Sequence, residues 1–499
     1  MLFQLLYLNS PLWGDDHLRY IRAIQDGKVL YKDMESVHFP AAWYLFAFIT
    51  QLFGKDLVVL KLASFTINAL AAVLIYGIAR QVVKRWQAIL CAFLYIIIGT
   101  ALMMVPSINM EIPFSMVMAL AILVFFRFIN DRRYGYLVLS GILFGMAFLF
   151  KQNIGGLSVI GVCLYLLAEN WLTPRREWLK KEIIFVLSLC PIPLITILFF
   201  WSSGGLPDFL DQAVFGLKRY YANVAEYPHT FAILWLFITI LVVGIIYSIV
   251  KSKNHKVLFL SILGFLLCFG SYPMYGEMRL PPVLMLALIV GFYLANKLSL
   301  VRMLRGRTSQ KLAAYLLILL FLLNLPVIIF NMTLVIYSDI NLAFSRAIYS
   351  PDPLLLEDIK SLGQTPVYIY PLEVMGVWLY YTSTMNLLKP SVFWLHMRTP
   401  AAQENVISYL KADNSYILYQ TNLFYDKPSR GELTLLNDYI DSNYVMVKEY
   451  NTSSFAYYKP FAKWIKTNLP FLSALAPNTF DTSNSERIYN YVLLKPKDG

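Results

Sequence analysis

The stretch that decides the fold is "GYLVLSGILFGMAFLFKQNIGGLSVIGVCLYLLA", Gly135 to Ala168. Apart from "KQN", Lys151 to Asn153, it is predominantly apolar. A single helix over it would run about 50 Å at 1.5 Å per residue, against a hydrocarbon core of roughly 30 Å. The flanking charges sharpen the conflict. Arg132-Arg133 lies before it, and Arg175, Arg176, Lys180 and Lys181 lie after it. If both clusters face the cytoplasm, as clusters of Lys and Arg beside spans tend to, the chain crosses between them an even number of times. A hairpin, 135–150 out and 154–168 back, satisfies both constraints and puts Lys151 at the outer surface.

The same reasoning extends along the chain. Of 499 residues, 58% are hydrophobic and 14% charged, well under the roughly 25% charge of a soluble domain. The mean hydropathy of +0.57 over this length marks an integral membrane protein. The net charge of +12 is unevenly spread: residues 1–330 hold 28 Lys and Arg against 15 Asp and Glu, while residues 331–499 hold 14 against 15. Basic excess confined to the apolar part marks cytoplasmic loops and argues against a nucleic-acid partner. The four cysteines, Cys91, Cys163, Cys190 and Cys268, all fall in apolar segments and imply no disulfide framework.

Spans of about 20 apolar residues are predicted at 57–79, 87–105, 112–129, 183–201, 230–250, 257–274, 280–296 and 312–330, besides the hairpin. Further basic clusters fall at Lys84-Arg85, at Lys251, Lys253 and Lys256, and at Arg302, Arg305, Arg307 and Lys311. Residues 39–53, "FPAAWYLFAFITQLF", are too short to span and would invert every later loop, so they read as an interfacial helix. An amphipathic helix is predicted over 15–26, with Leu18, Ile21 and Ile24 on one side. Residues 13–56 then form one outer loop. Residues 1–8 are short for a first span, so the start reads as late or truncated, and no signal-peptide pattern is present. The count is about 11 spans.

Beyond the last span the character changes. "VYIY" (367–370), "YILYQ" (416–420), "YVMVKEY" (444–450) and "YVLLK" (491–495) alternate as strands. Helices are predicted to open at Thr399-Pro400 and at a capping box, Ser429 and Glu432. The fold class expected is a polytopic α-helical membrane protein, with a transmembrane domain at 1–335 and an outward-facing C-terminal α/β domain at 336–499.

The outer loops collect the polar residues that the spans avoid: Asp15, Asp16, His17, Arg19, Arg22 and His38, then Glu111, Lys151 and Gln152, then Asp208, Asp211, Lys218, Arg219, Tyr220, Tyr221 and His229, then Glu277 and Arg279. Carboxylates and cations at a membrane surface suit chemistry on an anionic lipid head group. A carboxylate takes the proton of an acceptor hydroxyl, and a cation neutralises a phosphate leaving group. The plainer alternatives are Asp15 as a helix cap, Lys151 as a snorkelling interfacial cation and His38 as an ordinary loop histidine.

The carboxylate pair Asp15-Asp16, then "DGKVLYKD" (26–33) and "VHFP" (37–40), resembles the GT-C superfamily of membrane glycosyltransferases, in the branch of protein O-mannosyltransferases and the lipid A aminoarabinose transferase. "NMEIPFSMVMALAILVFFRF" (109–128), "GILFGMAFLFKQNIGGL" (141–157) and "MRLPPVLMLAL" (278–288) extend the likeness in order over about 1–330. The resemblance implies a glycosyltransferase moving a hexosyl or pentosyl group, with inversion, from a polyprenyl-phosphate donor to a lipid, glycan or protein acceptor on the outer face of a bacterial inner membrane. It implies Asp15 and Asp16 as catalytic carboxylates and Lys151, His38 and Arg279 on the donor phosphate. Glu111, Gln152, Tyr31 and Tyr220 are candidate substrate contacts. No cofactor is required on this reading; Asp15, Asp16, His17 and Glu111 are nonetheless suitable ligand types for a divalent metal. The alternative function is a transporter or flippase of lipid-linked sugars. A transporter calls for polar sites near the bilayer midplane, and here the ionisable residues gather at one rim.

Overall fold

The computed structural model describes residues 17–34, 36–102, 108–172, 177–216, 231–252, 254–270, 280–298, 357–358, 361–362, 367–370, 400–413, 416–420, 434–452 and 489–497. The first two helices are short: α1 (Leu18–Gln25) and α2 (Ala41–Phe53). Each predicted span between 57 and 298 falls on helix in its described part: α3 (Leu57–Arg80), α4 (Arg85–Leu102), α5 (Glu111–Asp131), α6 (Tyr134–Phe150), α7 (Gln152–Leu172), α8 (Trp178–Leu189), α9 (Pro191–Ser202), α11 (Phe231–Tyr247), α12 (His255–Phe269) and α13 (Pro281–Leu298), with a short α10 (Leu206–Phe209) between α9 and α11. Five apolar helical runs among the described residues are long enough to cross a membrane. The spans predicted at 1–8 and 312–330 lie outside the described residues.

The decisive stretch is a hairpin. Lys151 breaks it in an extended conformation, φ −149° and ψ 102°. A Cβ on Gly155 would lie 2.4 Å from the Phe148 Cα, so the close return of α7 past α6 requires glycine there. The far ends meet: Arg132, just before α6, pairs with Glu169 near the end of α7, 37 residues on. A continuous helix would hold those residues about 55 Å apart.

Proline splits the span predicted at 183–201. With Pro191 at its first position, α9 begins directly after α8, and Cys190 belongs to the junction. Helix α1 begins at Leu18 with His17 as N-cap and no side-chain cap bond. The predicted start at residue 15 and the capping role of Asp15 lie outside the described residues. Helix α2 buries Ala42, Trp43, Phe46, Ala47 and Thr50, while Phe48, Leu52 and Phe53 are exposed, a two-faced pattern suited to an interface. Large apolar side chains such as Val73, Leu187, Ile195 and Val250 are exposed on the spans. In water such a belt would aggregate; in lipid it is the solvated surface.

The charged groups sort to two ends. At one end Glu169 binds both Arg132 and Lys181, the latter at 2.9 Å. There too Lys256 donates to Gln81 (2.9 Å), and Gln87 and Asn296 exchange amide bonds of 2.8 and 2.6 Å. The described parts of the basic connections meet at this end. The opposite end carries Glu111, Lys151, Gln152, Asn153, Gly270 and residues 36–39.

The described part of residues 357–497 holds a four-stranded mixed sheet of order β1-β2-β4-β3. The strands are β1 (Val367–Tyr370), β2 (Tyr416–Gln420), β3 (Tyr444–Thr452) and β4 (Tyr489–Pro496), the four Tyr-rich runs picked by alternation. β1 and β2 are parallel, Val367 facing Tyr416. A parallel pair needs a crossover, and α14 (Pro400–Asp413) lies in that connection. β4 pairs antiparallel with both β2 and β3, with an irregularity between Met446 and Lys448. Helix α15 begins at Thr434; Ser429 and Glu432, expected to cap it, lie outside the described residues.

Candidate active site

The site is built where α5 begins and where α6 turns into α7. Glu111 is the first residue of α5. Its Oε1 lies 2.8 Å from Lys151 Nζ, and the two side chains are only 5% and 4% exposed. This corrects the expectation of a surface or snorkelling lysine: Lys151 is buried and ion-paired. Stripping water from both charges is costly, and the mutual attraction offsets that cost only while both partners are present.

The next two residues tie the hairpin to its surroundings. Gln152 donates to the Val37 carbonyl (2.8 Å) and accepts from the Phe39 amide (3.3 Å), so one side chain holds both sides of the His38 peptide. Asn153 donates to the Gly270 carbonyl (2.9 Å) after α12. His38 is half-buried, edge-on to His17 at 6.4 Å. Gln152 therefore acts here as a brace for the loop at 36–39.

Tyr31 is a brace as well. It is fully buried, packed edge-on to Phe200 and Phe209 at 5.0 and 5.1 Å. Its φ of +70° is left-handed, a conformation that costs an L residue unless its surroundings hold it. Here its amide donates to the Met34 carbonyl (2.7 Å) and its carbonyl accepts from Gln212 (3.0 Å). Its hydroxyl donates to the His38 carbonyl at 2.6 Å. Burial pushes the hydroxyl well above the ordinary tyrosine range, which keeps it a donor. Gln212, on a π-helical turn (Leu210–Phe215), also accepts from the Ser36 amide (3.0 Å). The loop thus hangs from two glutamines, of which sequence reading singled out one.

Arg19, named among the polar residues of the first loop, carries no predicted site role. It is 5% exposed, its guanidinium lies 4.7 Å from the Tyr20 ring centroid and Nη2 donates to the Tyr20 hydroxyl (2.8 Å). Its Nε has no partner among the described residues. Trp43 stacks on Tyr20 at 5.2 Å and lies 4.4 Å from His17. Nothing in the sequence distinguishes Arg19 from Arg22, which pairs with Asp26 at 3.0 Å one turn on; α1 packing against α2 makes the difference. Asp15, Asp16, Tyr220 and Arg279 lie outside the described residues. Among the described residues no three His, Cys, Asp or Glu side chains converge as a metal would need, and Lys151 already supplies positive charge to Glu111.

A helical bundle with a braced loop over a buried carboxylate–lysine pair defines a class of site, and known proteins similar to the chain fit it. The family described as dolichyl-phosphate-mannose-protein mannosyltransferase matches residues 37–201, which include His38, Glu111, Lys151 and Gln152. The chain is 26% identical over 339 residues to the undecaprenyl phosphate-alpha-4-amino-4-deoxy-L-arabinose arabinosyl transferase of Pseudomonas aeruginosa, covering 60% of this chain and 59% of that one. It spans less than two thirds of that relative's length. The fold is similar to the crystal structure of ArnT from Cupriavidus metallidurans bound to undecaprenyl phosphate, with TM-score 0.55, 12% identity and coverage of 90% and 94%. It is also similar to the oligosaccharyltransferase AglB of Archaeoglobus fulgidus in complex with an inhibitory peptide and a dolichol-phosphate, with TM-score 0.51, 10% identity and coverage of 97% and 84%. The chain resembles the GT-C superfamily of membrane glycosyltransferases in the family matched over residues 37–201 and in its fold.

Proposed function

We propose that this protein transfers a sugar from a polyprenyl-phosphate-linked donor to a hydroxyl-bearing lipid, glycan or protein acceptor at the outer face of a bacterial inner membrane. The observation that carries the reading is the buried Glu111–Lys151 pair (2.8 Å) beneath the braced loop, inside the segment matched by the mannosyltransferase family. The curated relative named for an undecaprenyl phosphate sugar, and the two solved structures holding polyprenyl phosphates, support the donor class.

In this reading Lys151 and Arg19 face the donor phosphate, with His38 and Arg279 as further contacts. Glu111 positions the lysine, and Gln152, Tyr31 and Tyr220 shape the substrate side. The acceptor oxygen attacks the anomeric carbon and its proton passes to Asp15 or Asp16. The bond from that carbon to the phosphate oxygen breaks, and polyprenyl phosphate departs with the electron pair. A single displacement inverts the anomeric centre. The cations act because charge builds on the leaving oxygen as the bond breaks. A divalent ion, if one is bound, would draw on Asp15, Asp16, His17 and Glu111, the last of which also pairs with Lys151.

The test is to delete the gene and identify the lipid-linked sugar that accumulates, then supply it to purified protein with candidate acceptors. Release of free polyprenyl phosphate coupled to sugar transfer is expected from wild type and not from Lys151→Met. Movement of intact lipid-linked sugar across proteoliposomes, with no cleavage, would replace the transferase with the flippase.

A further inference from the structure

At the end opposite the candidate active site, a cleft of about 510 Å³ opens between α3 and α5, lined by Gly77, Gln81, Leu123, Val124 and Arg127. Its size falls within the range of small-molecule sites. Its lining is divided. Gly77, Leu123 and Val124 form an apolar wall running into the span, and Gln81 and Arg127 form a polar rim where the helices end. A Cβ on Gly77 would sit 3.4 Å from both Leu123 methyls; glycine keeps the wall open, and a long side chain there would fill it.

A second cation stands behind the rim. Lys256, at the start of α12, donates to Gln81 Oε1 (2.9 Å) and lies 5.4 Å from the Phe126 ring centroid. Arg127 is exposed and within electrostatic range of Lys256. The lining residues include no carboxylate, and Lys256 is held by a neutral amide. The contrast with the same end's other cations is direct, since Arg132 and Lys181 share Glu169.

We propose that this cleft binds an anionic phospholipid of the leaflet at the basic end, with its phosphate between Arg127 and Lys256 and the top of one acyl chain against Gly77, Leu123 and Val124. Basic pockets between spans recognise such head groups by charge, each Lys or Arg adding attraction near the surface. A soluble anion would use the rim and leave the wall unused; a zwitterionic lipid would use the wall and gain little at the rim. The site is separate from the transfer reaction and lies at the other end of the bundle.

The experiment is native mass spectrometry of the full chain in detergent, titrated with phosphatidylglycerol, phosphatidylcholine or glycerol 3-phosphate. Wild type is expected to hold phosphatidylglycerol on the order of tenfold more tightly than phosphatidylcholine. Arg127→Gln with Lys256→Gln should remove that preference while leaving phosphatidylcholine binding unchanged. Gly77→Leu should weaken both lipids. Lys180→Gln, which removes an exposed cation at the same end but outside the cleft, should change nothing. Unchanged preference in the double variant overturns the site. Equal loss in Lys180→Gln reduces it to general surface charge, and glycerol 3-phosphate competing as well as the lipid would make it a soluble-anion site. Melting temperature in detergent, measured for each variant, separates loss of lipid from loss of fold.

Discussion

The two ends of the helical bundle each bury a carboxylate against cations, and they do so differently. At the basic end Glu169 takes Arg132 and Lys181 together and joins α7 to the start of α6 and to α8. Every charge in that group has a protein partner. At the loop end Glu111 pairs with Lys151, and Arg19 is buried with an Nε that has no partner among the described residues. One arrangement closes on itself. The other leaves one buried guanidinium nitrogen, Arg19 Nε, without a partner among the described residues, and a site for an anion requires such donors. The first group is a clasp, and the second is a clasp to which the proposed function adds work at a phosphate.

The sharpest way to break that distinction is at the carboxylates of the outer loop. Asp15→Asn or Asp16→Asn is expected to lose on the order of 10²–10⁴-fold in transfer rate with normal insertion, with Asp15 the stronger candidate. Near wild-type transfer from both variants would remove the loop from the chemistry. Next comes the pair itself. Glu111→Gln leaves a buried ammonium unpaired and should cost about 3–5 kcal/mol of stability, read as a lower melting temperature in detergent. Glu111→Gln with Lys151→Met removes both charges and should restore most of that stability while transfer stays lost. Recovery of transfer in the double variant would show that the pair is only a clasp.

Glu169→Gln makes the converse test. Stability should fall, since Arg132 and Lys181 lose their shared partner, but kcat/KM per folded molecule should hold. A fall in kcat/KM to match Glu111→Gln would erase the difference between the ends. The assignment of sides is checked by Thr173→Cys: an impermeant thiol reagent applied to intact cells should not label it, because the hairpin returns the chain to the basic side.

The smallest effect is expected in the sheet. Asp358 accepts from Lys448 (2.5 Å) and the Tyr450 hydroxyl (2.7 Å), and the Lys448 bond, then the Tyr450 bond, hold its carboxyl below the ordinary value of 3.8. The folded form binds protons less readily than the unfolded form. Its contribution is therefore complete above pH 3.8 and is lost as the pH falls through the lower folded value. The pair is solvent-exposed, so Lys448→Ala should change amide exchange in β3 only slightly. A large change at pH 7 would mean that the pair anchors the strand.

Several features could be read directly from residues. The hairpin at 135–168 follows from length and charge parity, because an overlong apolar run between two same-side basic clusters has no other economical path. The four Tyr-rich strands follow from alternation. Other features are invisible to periodicity. The split at Cys190 needed Pro191 to be weighed inside a run apolar enough to mask it. Arg19 differs from Arg22 in what lies opposite, buried against Tyr20 where Arg22 reaches Asp26.

Composition, charge parity and motif order by themselves determined that this is a membrane-embedded, GT-C-like chain and which residue types gather at its loop end. Those are properties of local sequence and of the solvent it must match: lipid demands apolar length, and water holds the basic loops. The tertiary structure decided which charges are spent. Glu111 and Lys151 are 40 positions apart and pair only because the starts of α5 and α7 come together at one end of the bundle. Tyr31 became a brace because Gln212 and the His38 carbonyl hold its left-handed backbone and hydroxyl. Burial then gives each such contact its weight, since a charge or hydroxyl removed from water must find its partner within the fold.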